Sequence, residues 1–176
     1  MRRLLLLRHA KAEPHAADDH RRALIDRGRK DSVRMGRFLR EAGLVPGLVL
    51  SSDSRRTRQT IELALPEMGG RPQVKYLREL YLAEPEVIFS TVRRAPDDAN
   101  TLLIVGHNPG VEQAAIALAA VPLERKLRKR YDAMDEKFPT CAVAAIGFDV
   151  PKWRDVMPGI GELDAFVRPK DLEDGA

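Results

Sequence analysis

The stretch LLLLRHA (4–10) decides the fold, because four consecutive leucines lead directly into an arginine and a histidine. Two further apolar runs, GLVL (47–50) and TLLIV (101–105), are also followed by polar residues. Uninterrupted apolarity, rather than alternation, is typical of strands covered on both faces, as in the parallel sheets of α/β proteins. The three runs therefore predict buried parallel strands with polar side chains at their carboxyl ends.

The segments between these runs have the spacing of amphipathic helices. They predict a helix that ends before Gly43, a helix that stops at Pro66, a helix opened by Pro85 and a helix that begins near Asn108. A later strand is predicted in CAVAAIGFDV (141–150), and the Pro- and Gly-containing tail after it is expected to cover an edge. Right-handed crossovers then place helices on both faces of the sheet, which gives an α/β fold.

Length and composition indicate one soluble domain spanning residues 1–176. Of the 176 residues, 44% are hydrophobic and 32% are charged, and no apolar run is long enough to cross a membrane. The four leucines near the start are too few for a secretory signal. Cys141, the single cysteine, excludes an internal disulfide and is expected to be a core thiol, and the four histidines have no zinc-like spacing. We therefore expect a cytoplasmic protein without metal or cofactor and without a membrane partner.

The charge balance favours an anionic substrate over nucleic acid. The formal net charge is +4, but 26 acidic residues are interspersed among 30 basic ones, and aromatic residues make up only 5%. The most basic segment, ERKLRKR (124–130), is interpreted as a solvated helix face or loop, with the docking of an acidic partner as the alternative.

Three polar clusters follow the three predicted strands. Arg8 and His9 follow the first, an arginine-rich segment (55–58) follows the second, and His107 follows the third. Because ligands of open parallel sheets bind outside the carboxyl ends of the strands, we expect these clusters to converge. Guanidinium groups present a fork of donors that matches phosphate oxygens, and helix starts add backbone donors. The sequence therefore predicts a pocket for a phosphoryl group.

An imidazole in such a pocket can do more than bind. A neutral ring nitrogen is a nucleophile toward phosphorus, provided that a partner such as a backbone carbonyl fixes the other nitrogen. A second imidazole, if protonated, would stabilise charge on the phosphoryl oxygens. A histidine at a strand end is otherwise a hydrogen-bonded structural residue, and His15 and His20 are expected in a solvated loop.

The three motifs resemble the successive signatures of the histidine phosphatase superfamily, which includes the phosphoglycerate mutases. They are LLLLRHAKAE (4–13), VLSSDSRRTRQT (49–60) and LLIVGHNPGVE (102–112). The resemblance is strongest to the small phosphohistidine phosphatases of SixA type and covers nearly the whole chain. It implies a three-layer α/β/α sandwich with a mostly parallel central sheet and phosphoglycerate mutase-like topology.

The resemblance also implies roles for particular residues. His9 corresponds to the nucleophile, Arg8 and Arg56 to phosphate clamps, and His107 to the second histidine of the pocket. Ala10 stands where many members have glycine, which would strain the loop if that residue needed positive φ.

Three further residues are candidates for contact with substrate. Asn108 follows the second histidine, and Arg22 matches an arginine usual in SixA-type proteins that either contacts substrate or pairs with an acid. Glu79 resembles the general acid of many superfamily members, or it pairs with a neighbouring arginine instead.

The short connection between the second and third motifs bears on the substrate. About forty residues separate them, which leaves no room for a large helical lid. An open pocket favours a metal-independent phosphatase that acts on phosphohistidine of a partner protein through a phosphohistidine intermediate. The alternatives are a general phosphatase of small phosphomonoesters, a mutase, or a phosphoprotein-binding module with little turnover.

Overall fold

The structure is a computed structural model, and it describes residues 1–172. The strands are β1 (Arg2–Arg8), β2 (Leu48–Ser52), β3 (Gln73–Leu77), β4 (Thr101–Gly106), β5 (Val143–Phe148) and β6 (Glu162–Val167). The helices are α1 (Asp26–Glu41), α2 (Arg55–Met68), α3 (Pro85–Arg93), α4 (Gly110–Leu118) and α5 (Arg125–Glu136), and short 3₁₀ turns include Asp19–Arg21 and Arg78–Leu80. Within residues 1–172, no helix has the length and apolarity needed to span a membrane.

The six strands form one sheet in the order β3-β2-β4-β1-β5-β6. β1 to β4 are parallel, whereas β5 runs antiparallel between β1 and β6. One face of β1 packs Leu5 and Leu7 under α1 and α2, and the other packs Leu4 and Leu6 under α3, α4 and α5. All four leucines are fully buried. The predicted α/β sandwich with a mostly parallel sheet is confirmed.

Two elements differ from the sequence prediction. The edge strand β3 was not predicted because its residues are only partly buried and form no apolar run. α2 continues past Pro66 to Met68, because a proline this close to the helix end removes one hydrogen bond while Met68 is fully buried in the core. Two other expectations agree with the structure: the basic segment 124–130 forms the mostly exposed start of α5, and the tail covers the edge of β5 by pairing with it as β6.

The backbone around His9 is held from both sides. The Cys141 N–H donates to the carbonyls of Arg8 (3.1 Å) and His9 (3.0 Å), and the Ala10 N–H donates to Oγ1 of Thr60 (3.0 Å). Cys141 is fully buried at φ 60°, and burial raises the pKa of its thiol, which fits the expected core role. Ala10 is not among the described residues with positive φ, so alanine is accommodated there.

Candidate active site

The two strand-end histidines meet, as expected from the sequence. Arg8 of β1 pairs with Gly106 of β4, so that His9 and His107 follow neighbouring positions in the sheet. Their ring centroids are 5.3 Å apart, and the residues are only 6% and 3% exposed. The carboxyl ends of adjacent parallel strands therefore bring two imidazoles into one buried cluster.

The hydrogen bonding of His9 determines which of its nitrogens is reactive. Its Nδ1 lies 2.7 Å from the carbonyl oxygen of Ala10, and because a carbonyl only accepts, Nδ1 carries the proton. Burial, followed by the charges of Arg56 and Arg8, lowers the pKa of His9 from 6.5 to about 3, against the raising effect of the Ala10 hydrogen bond. The ring is neutral at physiological pH, and Nε2 has its lone pair free of any hydrogen bond within residues 1–172.

His107 has both nitrogens engaged. Its Nδ1 accepts from Nη2 of Arg56 (3.1 Å), so its Nε2 carries the proton and donates to Oγ of Ser52 (2.8 Å). Burial first, and then the proximity of His9 and Arg56, lowers the pKa of His107 to about 2. The second imidazole is therefore neutral in this arrangement, whereas the sequence analysis considered a protonated one.

Arg56 is buried against an acidic residue that the sequence analysis did not single out. Its side chain is 2% exposed, with Nη1 donating to the Asp19 carbonyl (2.8 Å) and Nη2 to the Asp19 carboxylate (3.2 Å). Arg22 pairs with the same carboxylate at 3.1 Å, and the Tyr81 hydroxyl donates to it. The hydrogen bond from Tyr81 and the two guanidiniums lower the pKa of Asp19, so the carboxylate is ionised.

Arg8 is bound by a backbone carbonyl, whereas Arg56 is bound by the carbonyl and carboxylate of Asp19. Its Nη1 donates to the Phe138 carbonyl (3.0 Å), which also accepts from Nδ2 of Asn108 (2.9 Å). Burial lowers the pKa of Arg8, and the nearby Glu112 opposes this. The buried Nε atoms of Arg8 and Arg56 have no hydrogen-bond partner, which leaves donors that an anion could satisfy.

The structure thus brings His9, His107, Arg8, Arg56 and Arg22 together. Asn108 lies beside Arg8, and its buried Oδ1 has no partner. Glu79 lies in the exposed turn after β3, where its carboxylate pairs with Arg94 at 2.9 Å. That pairing is the one that the sequence analysis left open as the alternative to a general acid.

Two residues beside the cluster were not predicted from the sequence, and a third was predicted in the wrong surroundings. Asp19 and Tyr81 line the Arg56 side, and the Tyr81 ring meets His107 edge-on at 5.4 Å. His20 is not a solvated loop residue, because its Nε2 lies 2.8 Å from the carboxylate of Asp53 and its ring contacts Tyr81 at 4.9 Å. His20 and Asp53 are 33 residues apart in the sequence, and Tyr81 and Asp19 are 62 residues apart, so no local pattern indicates these contacts.

The described residues offer no group of three or more His, Cys, Asp or Glu side chains that could hold a metal ion. The site is a buried neutral imidazole surrounded by guanidinium groups, an arrangement suited to a phosphoryl group.

Comparisons with known proteins agree with this geometry. The chain belongs to the histidine phosphatase superfamily (branch 1), whose family model matches residues 4–103. Within that superfamily it is a SixA-type member with phosphoglycerate mutase-like topology and no large lid, which assigns it to the phosphatases.

Three similar proteins illustrate the relationship. The uncharacterized protein Rv1276c of Mycobacterium tuberculosis is 34% identical over 166 residues, which cover 93% of this chain and 100% of the relative. The structure of SixA from Nakamurella multipartitia, described as a candidate phosphohistidine phosphatase, has 29% identity and a TM-score of 0.83 over 96% of both chains. A SixA structure from Agrobacterium tumefaciens has 26% identity and a TM-score of 0.77 over 96% of this chain and 98% of that one.

Proposed function

We propose that this chain removes the phosphoryl group from phosphohistidine on a partner protein and passes it through His9 to water. The observation that carries the proposal is the protonation and hydrogen bonding of the His9 ring. Its Nδ1–H is bound to the Ala10 carbonyl, which leaves Nε2 unprotonated beside the guanidiniums of Arg8 and Arg56. A neutral imidazole held in one tautomer attacks phosphorus without first losing a proton.

In the first step, the lone pair of His9 Nε2 forms a bond to phosphorus. The P–N bond of the substrate breaks, and its electron pair returns to the substrate imidazole, which takes up a proton from water. Arg8 and Arg56 donate to the phosphoryl oxygens, where negative charge gathers. Imidazole is a better leaving group than an alkoxide, so this step needs no strong general acid. The pairing of Glu79 with Arg94 is compatible with that requirement.

In the second step, water completes the turnover. Its oxygen forms a bond to the phosphorus of phosphorylated His9, the new P–N bond breaks, and His9 recovers its neutral Nε2. The water loses a proton to solvent, and inorganic phosphate leaves. The sum is phosphohistidine plus water giving histidine plus phosphate. Every group used in both steps belongs to the chain, the substrate or the solvent.

The lack of a large lid supports a substrate carried by a protein. Between β2 and β4 the chain forms α2, β3, a 3₁₀ turn and α3, all of which are parts of the sandwich. No segment there forms a large lid over His9. Small substrates of enclosed sites are held by a closing segment, whereas a side chain presented by another protein needs an uncovered approach.

Phosphoryl labelling tests the proposal. The wild-type chain should release phosphate from ³²P-phosphohistidine protein in the presence of a chelator, and rapid quenching in base should trap label on His9. The His9→Ala variant should show neither label nor release. His20→Asn is the matched control, because His20 lies near the site but is bound to Asp53, and it should still be labelled.

Two results would contradict the proposal. Unchanged turnover in His9→Ala would eliminate the intermediate. Faster release from sugar phosphates than from phosphohistidine protein would keep the mechanism but replace the substrate by a small phosphomonoester.

A further inference from the structure

A second positively charged region lies beside the catalytic cluster. Two adjoining cavities of 210 and 190 Å³ share Pro139, Arg168 and Lys170 in their walls. We call them together the basic groove. Its cations are Lys11, Arg27, Lys137, Arg168 and Lys170. None of these residues has a part in the chemistry proposed above.

The basic groove lies beyond the same ends of the strands as His9, at the carboxyl ends of β1 and β6. Lys11 follows His9 by two residues, and Arg168 directly follows β6, which runs parallel to β1. Pro139 is adjacent to Phe138, whose carbonyl accepts from Arg8. A protein that presents a phosphorylated side chain to His9 would therefore bring its neighbouring surface over this groove.

Part of the charge in the groove is already neutralised. Asp31 pairs with Arg27 at 3.6 Å, and Asp171 pairs with Arg168 at 2.8 Å. The remaining cations, Lys11, Lys137 and Lys170, are exposed and form no ion pair or side-chain hydrogen bond with any residue from 1 to 172. The wall also contains Glu136, and Asp171 attracts Lys170 as well as Arg168. The five cations therefore face the three carboxylates of Asp31, Glu136 and Asp171, which leaves an excess of positive charge that can meet a partner's carboxylates.

On the other side of the catalytic cluster, the basic side chains nearest the histidines already have acidic partners. Arg22 and Arg56 share the Asp19 carboxylate, and His20 is bound to Asp53. A partner's carboxylates would compete with those acids there, whereas Lys11, Lys137 and Lys170 have no ion pair within residues 1–172. Complementary charge mainly selects and orients partners, and each exposed pair adds roughly 0.2–1 kcal/mol.

We propose that the basic groove docks an acidic segment of the phosphorylated partner protein. Glutamates or aspartates that flank the substrate phosphohistidine pair with Lys11, Lys137 and Lys170 while the phosphoryl group lies at His9. This inference rests on the proposed function and specifies the chemistry of its partner. Concave cavities accept side chains better than a flat membrane does, and no aromatic residue lines either cavity to stack a base.

Synthetic peptides test the docking separately from the chemistry. Two phosphohistidine peptides of about fifteen residues are identical except for glutamate or glutamine at the flanking positions, and they reach about 20 Å to either side. Phosphoramidate is the small substrate that reports chemistry alone. The groove variant is Lys137→Gln/Lys170→Gln, and the matched control is Lys126→Gln/Lys129→Gln on the exposed start of α5.

The wild-type chain should prefer the glutamate peptide about fivefold in kcat/KM at low salt, and the preference should shrink as salt rises. The groove variant should reduce the preference to within about twofold through KM, with kcat and the phosphoramidate rate unchanged. The control variant should keep the full preference, because α5 is about 18 Å long and its basic start lies at the end away from Arg8.

The outcomes separate the two proposals. Absence of phosphate release from phosphoramidate and from both peptides contradicts the proposed function itself. Release without a glutamate preference, or a preference that survives in the groove variant, overturns the docking proposal alone. Stronger inhibition by a short DNA oligonucleotide than by polyglutamate of equal charge would assign the groove to nucleic acid and overturn the proposal as well.

Discussion

A buried histidine directly follows β1, and another directly follows β4, yet the two histidines have different hydrogen-bond partners. His9 uses one nitrogen for a backbone carbonyl and leaves the other free. His107 has Arg56 on one nitrogen and Ser52 on the other. Burial lowers both pKa values to a similar extent, to about 3 and about 2. The hydrogen-bond partners, rather than burial or charge, therefore distinguish the ring whose nitrogen is free to react from the ring that is held at both nitrogens.

The largest expected effect comes from exchanging each imidazole for an amide. His9→Asn should lower kcat by about 10⁴-fold or more and abolish the phosphorylated intermediate. His107→Asn should lower kcat by about 10²- to 10³-fold, as expected for a lost stabilising group, and should still accumulate label on His9. Rapid-quench labelling of both variants checks this. Label retained in His9→Asn and lost in His107→Asn would reverse the comparison.

The pH dependence of stability tests the feature that the two histidines share. Both folded pKa values lie below 6.5, so the unfolded chain binds more protons than the folded chain once the pH falls below 6.5. The free energy of unfolding is therefore highest above pH 6.5 and declines as the pH falls. Each histidine should lower the free energy of unfolding by about 2 kcal/mol at pH 5 relative to pH 8.

Urea unfolding of wild type, His9→Asn and His107→Asn between pH 5 and pH 8 measures this slope. Each variant should remove about half of the histidine contribution. A slope that is unchanged in either variant would show that its imidazole titrates normally in the folded chain.

Asp19 makes the two arginines unequal, which provides a third test. The Asp19 carboxylate occupies Arg56 and Arg22, whereas Arg8 is bound only by a carbonyl. A phosphoryl group must therefore compete with Asp19 for Arg56. Asp19→Asn should tighten inhibition by inorganic phosphate about five- to tenfold, because the competing negative charge is removed.

Asp18→Asn is the matched control, since the Asp18 side chain accepts from the His20 N–H and does not contact Arg56. It should leave inhibition by phosphate unchanged. Weaker phosphate binding in Asp19→Asn would show instead that the carboxylate holds Arg56 in its binding position.

The sequence predicted the parts of the molecule that depend on local patterns. LLLLRHA (4–10) and TLLIV (101–105) placed β1 and β4 correctly, because strands covered on both faces have continuous apolar runs. The meeting of His9 and His107 followed from parallel topology alone. β3 was missed because an edge strand has no such run.

The surroundings of the histidines were not predictable in the same way. Asp19 reaches Arg56 across 37 residues and Tyr81 across 62, so no sequence spacing indicates these contacts. The hydrogen bond from His107 to Ser52 spans 55 residues. Resemblance identified the residue types of the cluster, but the tautomers follow from tertiary partners that only the folded chain defines.

The smallest expected effect comes from removing the Ser52 hydroxyl, the hydrogen-bond partner that His107 has and His9 lacks. Ser52→Ala removes the oxygen that accepts from Nε2 of His107, while Arg56 still donates to Nδ1. The ring keeps its place but loses one of its two restraints, so kcat should fall about fivefold with KM nearly unchanged. Steady-state kinetics with a phosphohistidine peptide measures this.

Ser51→Ala is the matched control for Ser52→Ala, because Ser51 is equally buried in β2 but its hydroxyl donates to the Ser52 carbonyl rather than binding a histidine. Ser51→Ala should lower the free energy of unfolding by about 1 kcal/mol and Ser52→Ala by about twice that, because the Ser52 hydroxyl also accepts from the Ser54 N–H at 3.3 Å. Only Ser52→Ala should change kcat. An equal loss of kcat in both variants would mean that β2 merely supports the site, and the distinction between the two imidazoles would then rest on Arg56 alone.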